Sequence, residues 1–255
     1  MVSLKSLPAK LAHSTARAAC LNAFVYYRTI RNRIRLPDIP VCYAEQYGQC
    51  GEDLIAESII RARAFSDGTN AAALRYLEIG GNHPFATSAT YLLHTRLGMT
   101  GVIVEANGKL VPALRKGRPC DTVVHAAVTD NDEPSAMLSV SRRSELSSLD
   151  RSFVLGWANG RIGEARIEEV PAIRINQIVE RYMGASTPCF MSIDVEGLDL
   201  RLLKDFDFVR YRPWLLQVEP SDHHAPGNSG EIYRFMRSVG YRLIAKTAVN
   251  MIFEA

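Results

Sequence analysis

A strand, a glycine pair and a helix in direct succession constrain the fold more than any other part of this sequence. The apolar run 74–79 stops at Gly80 and Gly81, and a helical pattern begins at Pro84 and stops at Gly98. Proline suits the first helical position because it needs no amide hydrogen there, and glycine suits the residue that ends a helix. Such a turn binds anionic groups, because free amides and the helix dipole point outward. The pattern therefore predicts a site for a nucleoside-containing cofactor.

Two acids mark the ends of the first two predicted strands. Glu78 lies in the strand that leads to the glycine pair, and Glu105 closes the next apolar run, 25 residues after Gly80. A carboxylate at this spacing binds the ribose hydroxyls of a nucleoside cofactor. We therefore predict that Glu105 binds a ribose beside the glycine turn.

The glycine turn differs from that of a dinucleotide-binding protein. The Gly-x-Gly-x-x-Gly pattern needs further glycines where this chain has Asn82 and Phe85. Glu78 adds an electrostatic objection, because a carboxylate at a strand end repels phosphate and attracts a cation. S-adenosylmethionine fits better, since it offers a ribose diol to Glu105, an amino group and a sulfonium to Glu78, and no phosphate. An NAD-dependent oxidoreductase is the alternative, with NADP least favoured because Glu105 repels a 2′-phosphate.

Strands and helices alternate between residues 71 and 208, which predicts an α/β fold with a parallel sheet and helices on both faces. The predicted strands are Arg75–Ile79, Gly101–Glu105, Thr122–Ala127, Cys189–Asp194 and Trp214–Glu219. The predicted helices are Phe85–Leu97, Lys109–Lys116, Ile175–Tyr182, Leu198–Phe206 and Glu231–Val239. Two apolar runs, 241–245 and 250–253, predict a closing antiparallel hairpin. The polar segment 129–171 interrupts the alternation and is predicted to be a substrate-facing loop or hairpin.

A further acidic cluster follows the fourth predicted strand. Asp194 and Glu196 lie two positions apart, so strand alternation predicts that they point to the same face. Such a pair can hold the methionine amino group, orient an acceptor hydroxyl or, with Glu219 and His223, bind a divalent metal. Histidine acts as a general base near neutral pH. We predict that Asp194 and Glu196 lie nearest the reacting centre and that His223 is the catalytic base.

Five short motifs resemble the FkbM-type S-adenosylmethionine-dependent methyltransferases, in the family's order. They are Glu52-Asp53-Leu54, Leu77-Glu78-Ile79-Gly80-Gly81-Asn82, Val104-Glu105-Ala106-Asn107, Ala126-Ala127-Val128 and, most specific, Ile193-Asp194-Val195-Glu196-Gly197. The resemblance implies a class I methyltransferase (Rossmann-like) fold with a seven-stranded, mostly parallel sheet, and methyl transfer to hydroxyls of sugars or secondary metabolites. The cofactor-binding residues that it implies are Glu78, Gly80, Gly81, Asn82, Glu105, Ala106, Ala127 and Asp194. The family more often has Asp at 78 and Ala at 81.

The N-terminal residues differ in charge from the remainder of the chain. Residues 1–37 carry seven Lys and Arg and no acid, whereas the remainder has 23 basic and 27 acidic side chains. Apolar residues at three- and four-residue spacing predict an amphipathic basic extension at 1–40, ahead of a methyltransferase domain at 41–255. Residues 1–36 are expected to pack on the body or a second subunit, or to contact an anionic membrane surface. Their composition does not favour nucleic-acid binding.

Cysteine usage and hydropathy bear on the compartment. The chain has five cysteines and no Cys-x-x-Cys pair, which disfavours a disulfide framework or a zinc site and favours a reducing cytoplasm. No apolar run reaches the length of a membrane span. We therefore expect a cytoplasmic O-methyltransferase acting on a small-molecule or glycan hydroxyl, with a sugar first and a polyketide-like metabolite as the alternative. A non-catalytic nucleotide-binding module is disfavoured because all the acids around the predicted cofactor site are present.

Overall fold

The computed structural model describes residues 46–255, and the structural statements below concern that part of the chain. The predicted basic extension at 1–40 lies outside the described residues. In chain order the strands are β1 (Arg75–Ile79), β2 (Thr100–Glu105), β3 (Thr122–His125), β4 (Ala127–Thr129), β5 (Ser135–Ser141), β6 (Glu164–Arg174), β7 (Phe190–Ile193), β8 (Leu215–Val218), β9 (Arg242–Lys246) and β10 (Met251–Glu254). The helices are α1 (Glu52–Ser66), α2 (Tyr91–Leu97), α3 (Val111–Gly117), α4 (Arg151–Gly156), α5 (Ile175–Tyr182), α6 (Asp199–Asp205) and α7 (Asn228–Ser238).

The main sheet has seven strands in the order β3-β2-β1-β7-β8-β10-β9. Its first five strands are parallel, and β10 runs antiparallel to both β8 and β9. Ile79 pairs with Val104 on one side and with Ile193 on the other, so these strands end at the same level. The residues that follow β1, β2 and β7 therefore meet at one edge, where ligands bind in parallel α/β sheets. The predicted seven-stranded sheet and its closing hairpin are confirmed.

The core lies on both faces of this sheet. On one face, strand residues such as Leu77 and Val104 pack with apolar residues of α5, α6 and α7, among them Ile178 and Leu203. On the other face, Tyr76 and Phe190 pack with apolar residues of α1 and α2. Strands buried on both faces read as continuous apolar runs, which is why the sequence indicated them.

The segment 129–171 forms most of a second, three-stranded sheet. In it β5 pairs antiparallel with β6, and β4 runs parallel to β6. Of the predicted loop or hairpin, the segment therefore forms a hairpin, and its substrate-facing role stays a prediction. The predicted strand 122–127 is too long at its C-terminal end. Strand β3 stops at His125, and the following residues leave the main sheet to form β4.

The helix after the glycine pair begins later than its proline predicts. It starts at Tyr91 instead of Pro84, although it ends as predicted at Gly98, whose φ is +68°. The intervening residues make turns that side chains hold: His83 Nδ1 accepts hydrogen bonds from the amides of residues 85 and 86. Thr87 has a φ of +63°, which no α-helix contains. The helical start at Pro84 was therefore wrong, because local polar side chains compete successfully for the backbone there.

None of the helices in residues 46–255 has the length and apolar character needed to cross a membrane. The cytoplasmic location stays a prediction.

Candidate active site

The glycine turn after β1 is packed tightly against both neighbouring strands. Gly80 has a φ of +90°, and a Cβ atom there would lie 1.9 Å from the carbonyl oxygen of Asp194. A Cβ on Gly81 would lie 2.4 Å from Cγ2 of Ile103. The amides of both glycines donate to the carbonyl oxygen of Val104, at 3.0 and 3.1 Å. These amides are therefore used inside the fold, and the prediction that they point outward to an anion is wrong.

Glu105 is fixed at the end of β2 by backbone amides. Its Oε2 accepts from Asn82 N at 2.7 Å and its Oε1 from Asn107 N at 2.6 Å. The side chain is 7% exposed, and burial raises the pKa of its carboxyl group while these hydrogen bonds oppose the rise. Each carboxylate oxygen can accept more than one hydrogen bond. Glu105 lines the main cavity, and its carboxylate oxygens can accept further hydrogen bonds there. The predicted binding of ribose hydroxyls needs such acceptors.

Glu78 lies behind the main cavity and is used by the following loop. Its carboxylate accepts from Ala89 N at 2.9 Å and from the hydroxyls of Ser88 and Thr90. It lines a separate pocket of about 20 Å³ together with Gly80 and Asp194. The structure thus gives Glu78 a role in holding the loop before α2, while its predicted contact with a cofactor stays a prediction.

A buried arginine neutralises this part of the site. Arg118 is 0% exposed and donates to Tyr76 Oη at 2.7 Å, to Thr90 Oγ1 at 2.9 Å and to the Pro84 carbonyl oxygen at 3.2 Å. It also forms an ion pair with Asp121 at 2.8 Å. Its charge opposes the rise that burial causes in the pKa of Glu78. Sequence reasoning missed Arg118, because 40 residues separate it from Glu78 and no local pattern links them.

Asp194, Glu196 and Glu219 line the main cavity together. Burial raises the pKa of Asp194 to about 7 and that of Glu219 to about 9. Burial and the neighbouring carboxylates raise the pKa of Glu196 to about 10. Within residues 46–255, Asp194 Oδ1 is buried without a hydrogen-bond partner, and none of the three acids forms an ion pair. The cavity therefore concentrates acidic groups that lack a cation.

A loop, and not strand alternation, brings Asp194 and Glu196 into one cavity. Strand β7 ends at Ile193, and Glu196 has a φ of +57°. Asp199, at the start of α6, fixes this loop by accepting from Val195 N at 3.1 Å and from Gly197 N at 3.2 Å. Sequence reasoning missed Asp199, although an acid in the first turn of a predicted helix was a usable signal.

The opposite wall of the cavity is apolar. The cavity has a volume of about 370 Å³. Its apolar lining includes Ala106, Ala126, Ala127, Val128, Leu138 and Leu149. The segment 144–147 and Trp157, both from the insertion, line it as well, as do Gly80 and Asn82. Two of the predicted residues, Ala106 and Ala127, are thus placed with the acids, whereas Gly81 lies outside the lining and packs under the turn.

The segment before α1 lies at the cavity and is tied to the C-terminal hairpin. Gln49 and Val249 line the cavity from these two segments. Glu52 is buried and its Oε1 accepts from Thr247 Oγ1 at 2.6 Å, while its Oε2 accepts from Cys50 N at 2.7 Å. Glu52, the first residue of the motif Glu52-Asp53-Leu54, therefore joins the start of α1 to the hairpin beside the cavity.

His223 lies outside the acidic cavity. It lines an adjoining open groove with Phe153, Trp157 and His224, and its ring centroid is 4.1 Å from that of Trp157. Burial and the nearby His224 lower the pKa of His223. The structure therefore does not bring His223 together with Asp194 and Glu196, and its predicted role as base is untested. Among the described residues, no three His, Cys, Asp or Glu side chains are grouped to hold a metal ion.

These features test the fit of S-adenosylmethionine. A buried, unpartnered carboxylate oxygen on Asp194 suits an ammonium or sulfonium cation. Glu105 offers acceptor atoms to a ribose, and the alanine and leucine wall offers an apolar surface to a purine. The described residues thus fit the cofactor predicted from the sequence.

Comparisons with solved structures give a loose fold likeness. A putative O-methyltransferase from Klebsiella pneumoniae is 11% identical, with 89% of this chain and 88% of that chain covered and a TM-score of 0.44. An O-methyltransferase from Bacillus cereus in complex with SAH is 12% identical, with 99% and 93% covered and a TM-score of 0.42. Precorrin-6y C5,15-methyltransferase from Geobacter metallireducens is 12% identical, with 86% and 95% covered and a TM-score of 0.39. Likeness at this level carries no functional argument.

No curated protein matches the sequence. The family model described as the methyltransferase FkbM domain matches residues 78–243, which is well over half of the chain. That span begins at the acid of β1 and includes the acidic loop after β7 and the strand β8. The chain therefore belongs to the FkbM methyltransferase family, as its motifs indicated, and it is an S-adenosylmethionine-dependent methyltransferase.

Proposed function

We propose that this enzyme methylates a hydroxyl oxygen of a sugar in a glycan or glycoconjugate. The observation that carries the proposal is the position of Trp157, which lines both the acidic cavity and the open groove beside it. Phe153, His223 and Asn159 also line that groove, so it combines aromatic faces with polar groups. Sugar rings present apolar faces and many hydroxyls, and they match such a surface.

The charge of the cavity limits the acceptor. Carboxyl groups line the cavity, and in their ionised form they repel phosphate, sulfate and carboxylate groups at the reacting end of an acceptor. A neutral hydroxyl meets no such penalty. This supports an uncharged sugar position, in preference to a phosphorylated one, as the place of methylation.

Each wall of the cavity has its own part in the reaction. Glu105 would bind the ribose hydroxyls, the apolar wall around Ala127 and Leu138 the adenine, and Asp194 the methionine ammonium. The cofactor supplies an electrophilic methyl group on a sulfonium. The insertion residues 144–147 and Trp157 restrict water at the reacting end and orient the acceptor, and alignment of this kind is the main source of rate in such transfers.

The same groove accepts a planar polyketide-like acceptor, so one experiment separates the two. Transfer of radiolabelled methyl is measured onto cell-derived glycans, methyl glycosides and hydroxylated polyketides. We expect labelling of the sugars, and we expect Trp157→Ala to raise the KM for the sugar while the affinity for S-adenosylmethionine is unchanged. Labelling of polyketides alone contradicts the sugar assignment. The proposed contact of residues 1–36 with a membrane or a second subunit stays a prediction.

A further inference from the structure

The acidic cavity holds more carboxyl groups than the binding of one cofactor requires. We propose that Glu196 takes the proton from the acceptor hydroxyl, and that the positive charge of the methyl donor is what makes this carboxyl group available as a base. The inference rests on the proposed function, since it concerns the same site. It replaces the predicted base, His223, with a residue inside the cavity.

The backbone of Glu196 is fixed from two sides. Its carbonyl oxygen accepts a hydrogen bond from Ser148 Oγ, in the insertion, at 2.7 Å. The amide of the next residue, Gly197, donates to Asp199 at 3.2 Å. The side chain lines the cavity. A Cβ on the neighbouring Gly197 would lie 3.1 Å from the ring of Phe153, which lines the proposed acceptor groove, so this loop adjoins that groove. Backbone hydrogen bonds therefore hold Glu196 in position, and its carboxylate needs no hydrogen-bond partner for this.

Every charged group that strongly affects Glu196 is acidic. Asp194 faces it from the same loop, Glu219 from the end of β8, Asp199 from α6 and Glu145 from the insertion. Among residues 46–255 no lysine or arginine pairs with the cavity acids Asp194 and Glu196. Burial and these neighbours raise the pKa of Glu196 to about 10, so without a cationic ligand its carboxyl group is protonated at neutral pH.

A bound cation reverses this preference. The buried Oδ1 of Asp194, which has no partner among the described residues, marks where positive charge is lacking. The methionine ammonium that Asp194 binds is common to S-adenosylmethionine and S-adenosylhomocysteine, whereas the sulfonium belongs to the methyl donor alone. When the sulfonium adds its charge to the cavity, Glu196 loses its proton to solvent, because a nearby opposite charge favours the ionised form. The carboxylate then lies beside the acceptor hydroxyl as a general base.

The transfer step balances in atoms and charge. Glu196 takes the hydroxyl proton as the new oxygen–carbon bond forms and the carbon–sulfur bond breaks, with the electron pair of that bond passing to sulfur. The products are an ether, a neutral thioether and the carboxylic acid of Glu196. Since the thioether carries no charge, Glu196 keeps the proton until the next cationic cofactor binds.

Calorimetry of ligand binding tests this directly. Binding heats are measured at about pH 8 in phosphate and in Tris, whose ionisation enthalpies differ, so that the protons released on binding can be counted. Three probes are compared: S-adenosylmethionine, S-adenosylhomocysteine, and sinefungin, which has an amine in place of the methyl sulfonium. We expect the two cationic ligands to release about one proton more than the thioether. Equal proton release by all three overturns the proposal.

Two matched substitutions identify the residue that releases the additional proton. Glu196→Gln should remove the additional proton release and lower kcat by about 10²- to 10⁴-fold with little change in the KM for cofactor. Glu145→Gln removes a negative charge from the cavity mouth and should keep the additional proton release. The proposal fails if Glu196→Gln retains the additional release, or if His223→Ala abolishes it.

The same data separate this inference from the proposed function. Binding of S-adenosylmethionine without additional proton release contradicts the role of Glu196 alone. Methyl transfer to polyketides alone contradicts the sugar acceptor and leaves the proton measurement intact. Thermal melting of Glu196→Gln without ligand tests folding, and we expect it to melt no lower than the wild type because a half-buried acid is replaced by a neutral group of the same shape.

Discussion

Two groups of acids in this domain differ in charge compensation, and only one of them has a cation. Glu78 and Asp121 surround the fully buried Arg118. Asp194, Glu196 and Glu219 have no ion-pair partner within the described residues. A compensated group supports the fold, because its opposite charges are paired. An uncompensated group weakens the free protein and is stabilised by a cationic ligand, so the difference separates scaffold from binding site.

The largest expected effect comes from removing the cation of the compensated group. Arg118→Met leaves two buried acids unpaired and should lower the free energy of unfolding by about 3–5 kcal/mol. Urea denaturation measures it. The control is Arg210→Gln, which breaks an exposed pair with Glu180 and should cost less than about 1 kcal/mol. Similar losses from both substitutions would show that the Arg118 group contributes little to the fold.

Removing an acid of the uncompensated group should have the opposite effect on the free protein. Asp194→Asn should not lower, and is expected to raise, the free energy of unfolding without ligand at pH 8, because it removes a buried charge. It should weaken S-adenosylmethionine binding by about 1.5–3 kcal/mol, or roughly 10- to 150-fold. Calorimetry and urea denaturation measure the two effects. A destabilised but normally binding Asp194→Asn variant would contradict the distinction.

The pH dependence of stability should show the uncompensated acids and the neighbouring Asp199. Their pKa values, about 7 for Asp194, 8 for Asp199, 9 for Glu219 and 10 for Glu196, lie above those of an unfolded chain. The native state therefore binds more protons, and the free energy of unfolding should fall from about pH 5 to pH 9. Thermal melting across this range checks it. Sinefungin should flatten the fall, and a stability that rises with pH would contradict the charge assignment.

The smallest expected effect concerns the mouth of the cavity. Glu145 is exposed, and its charge is screened by water. Glu145→Gln should weaken S-adenosylmethionine binding by less than about threefold, and added salt should reduce even that difference. Titrations at low and high ionic strength measure it. An effect as large as that of Asp194→Asn would show that the charge that binds the cofactor lies at the mouth of the cavity and not in the loop after β7.

Local patterns predicted the positions of the strands and of the acids that follow them. Each parallel strand is an apolar run, and Glu105 and Asp194 occur where such runs end, so their meeting at one edge follows from topology. The role of Arg118 did not follow, because its partners are distant in sequence. The start of α2 was misplaced because the carboxylate of Glu78 and the ring of His83 outweigh the preference of proline for a helix start.

The position of His223 shows a second limit. His223 comes shortly after a strand-end acid in the sequence, which favoured a catalytic role. In the structure, however, its side chain packs against Trp157 of the insertion and lines a neighbouring groove. Side-chain direction after a strand depends on which segment packs over it. Here that segment, 129–171, precedes His223 by more than 50 residues.

The hydrogen bond between Glu52 and Thr247 joins residues 195 positions apart at the rim of the cavity. During synthesis on the ribosome, Glu52 emerges long before its partner, which is made 195 positions later. The cavity rim is therefore completed only when almost the whole domain has left the ribosome. A chain without this hairpin lacks Val249 at the cavity and the partner of Glu52, so we expect it to bind the methyl donor less tightly.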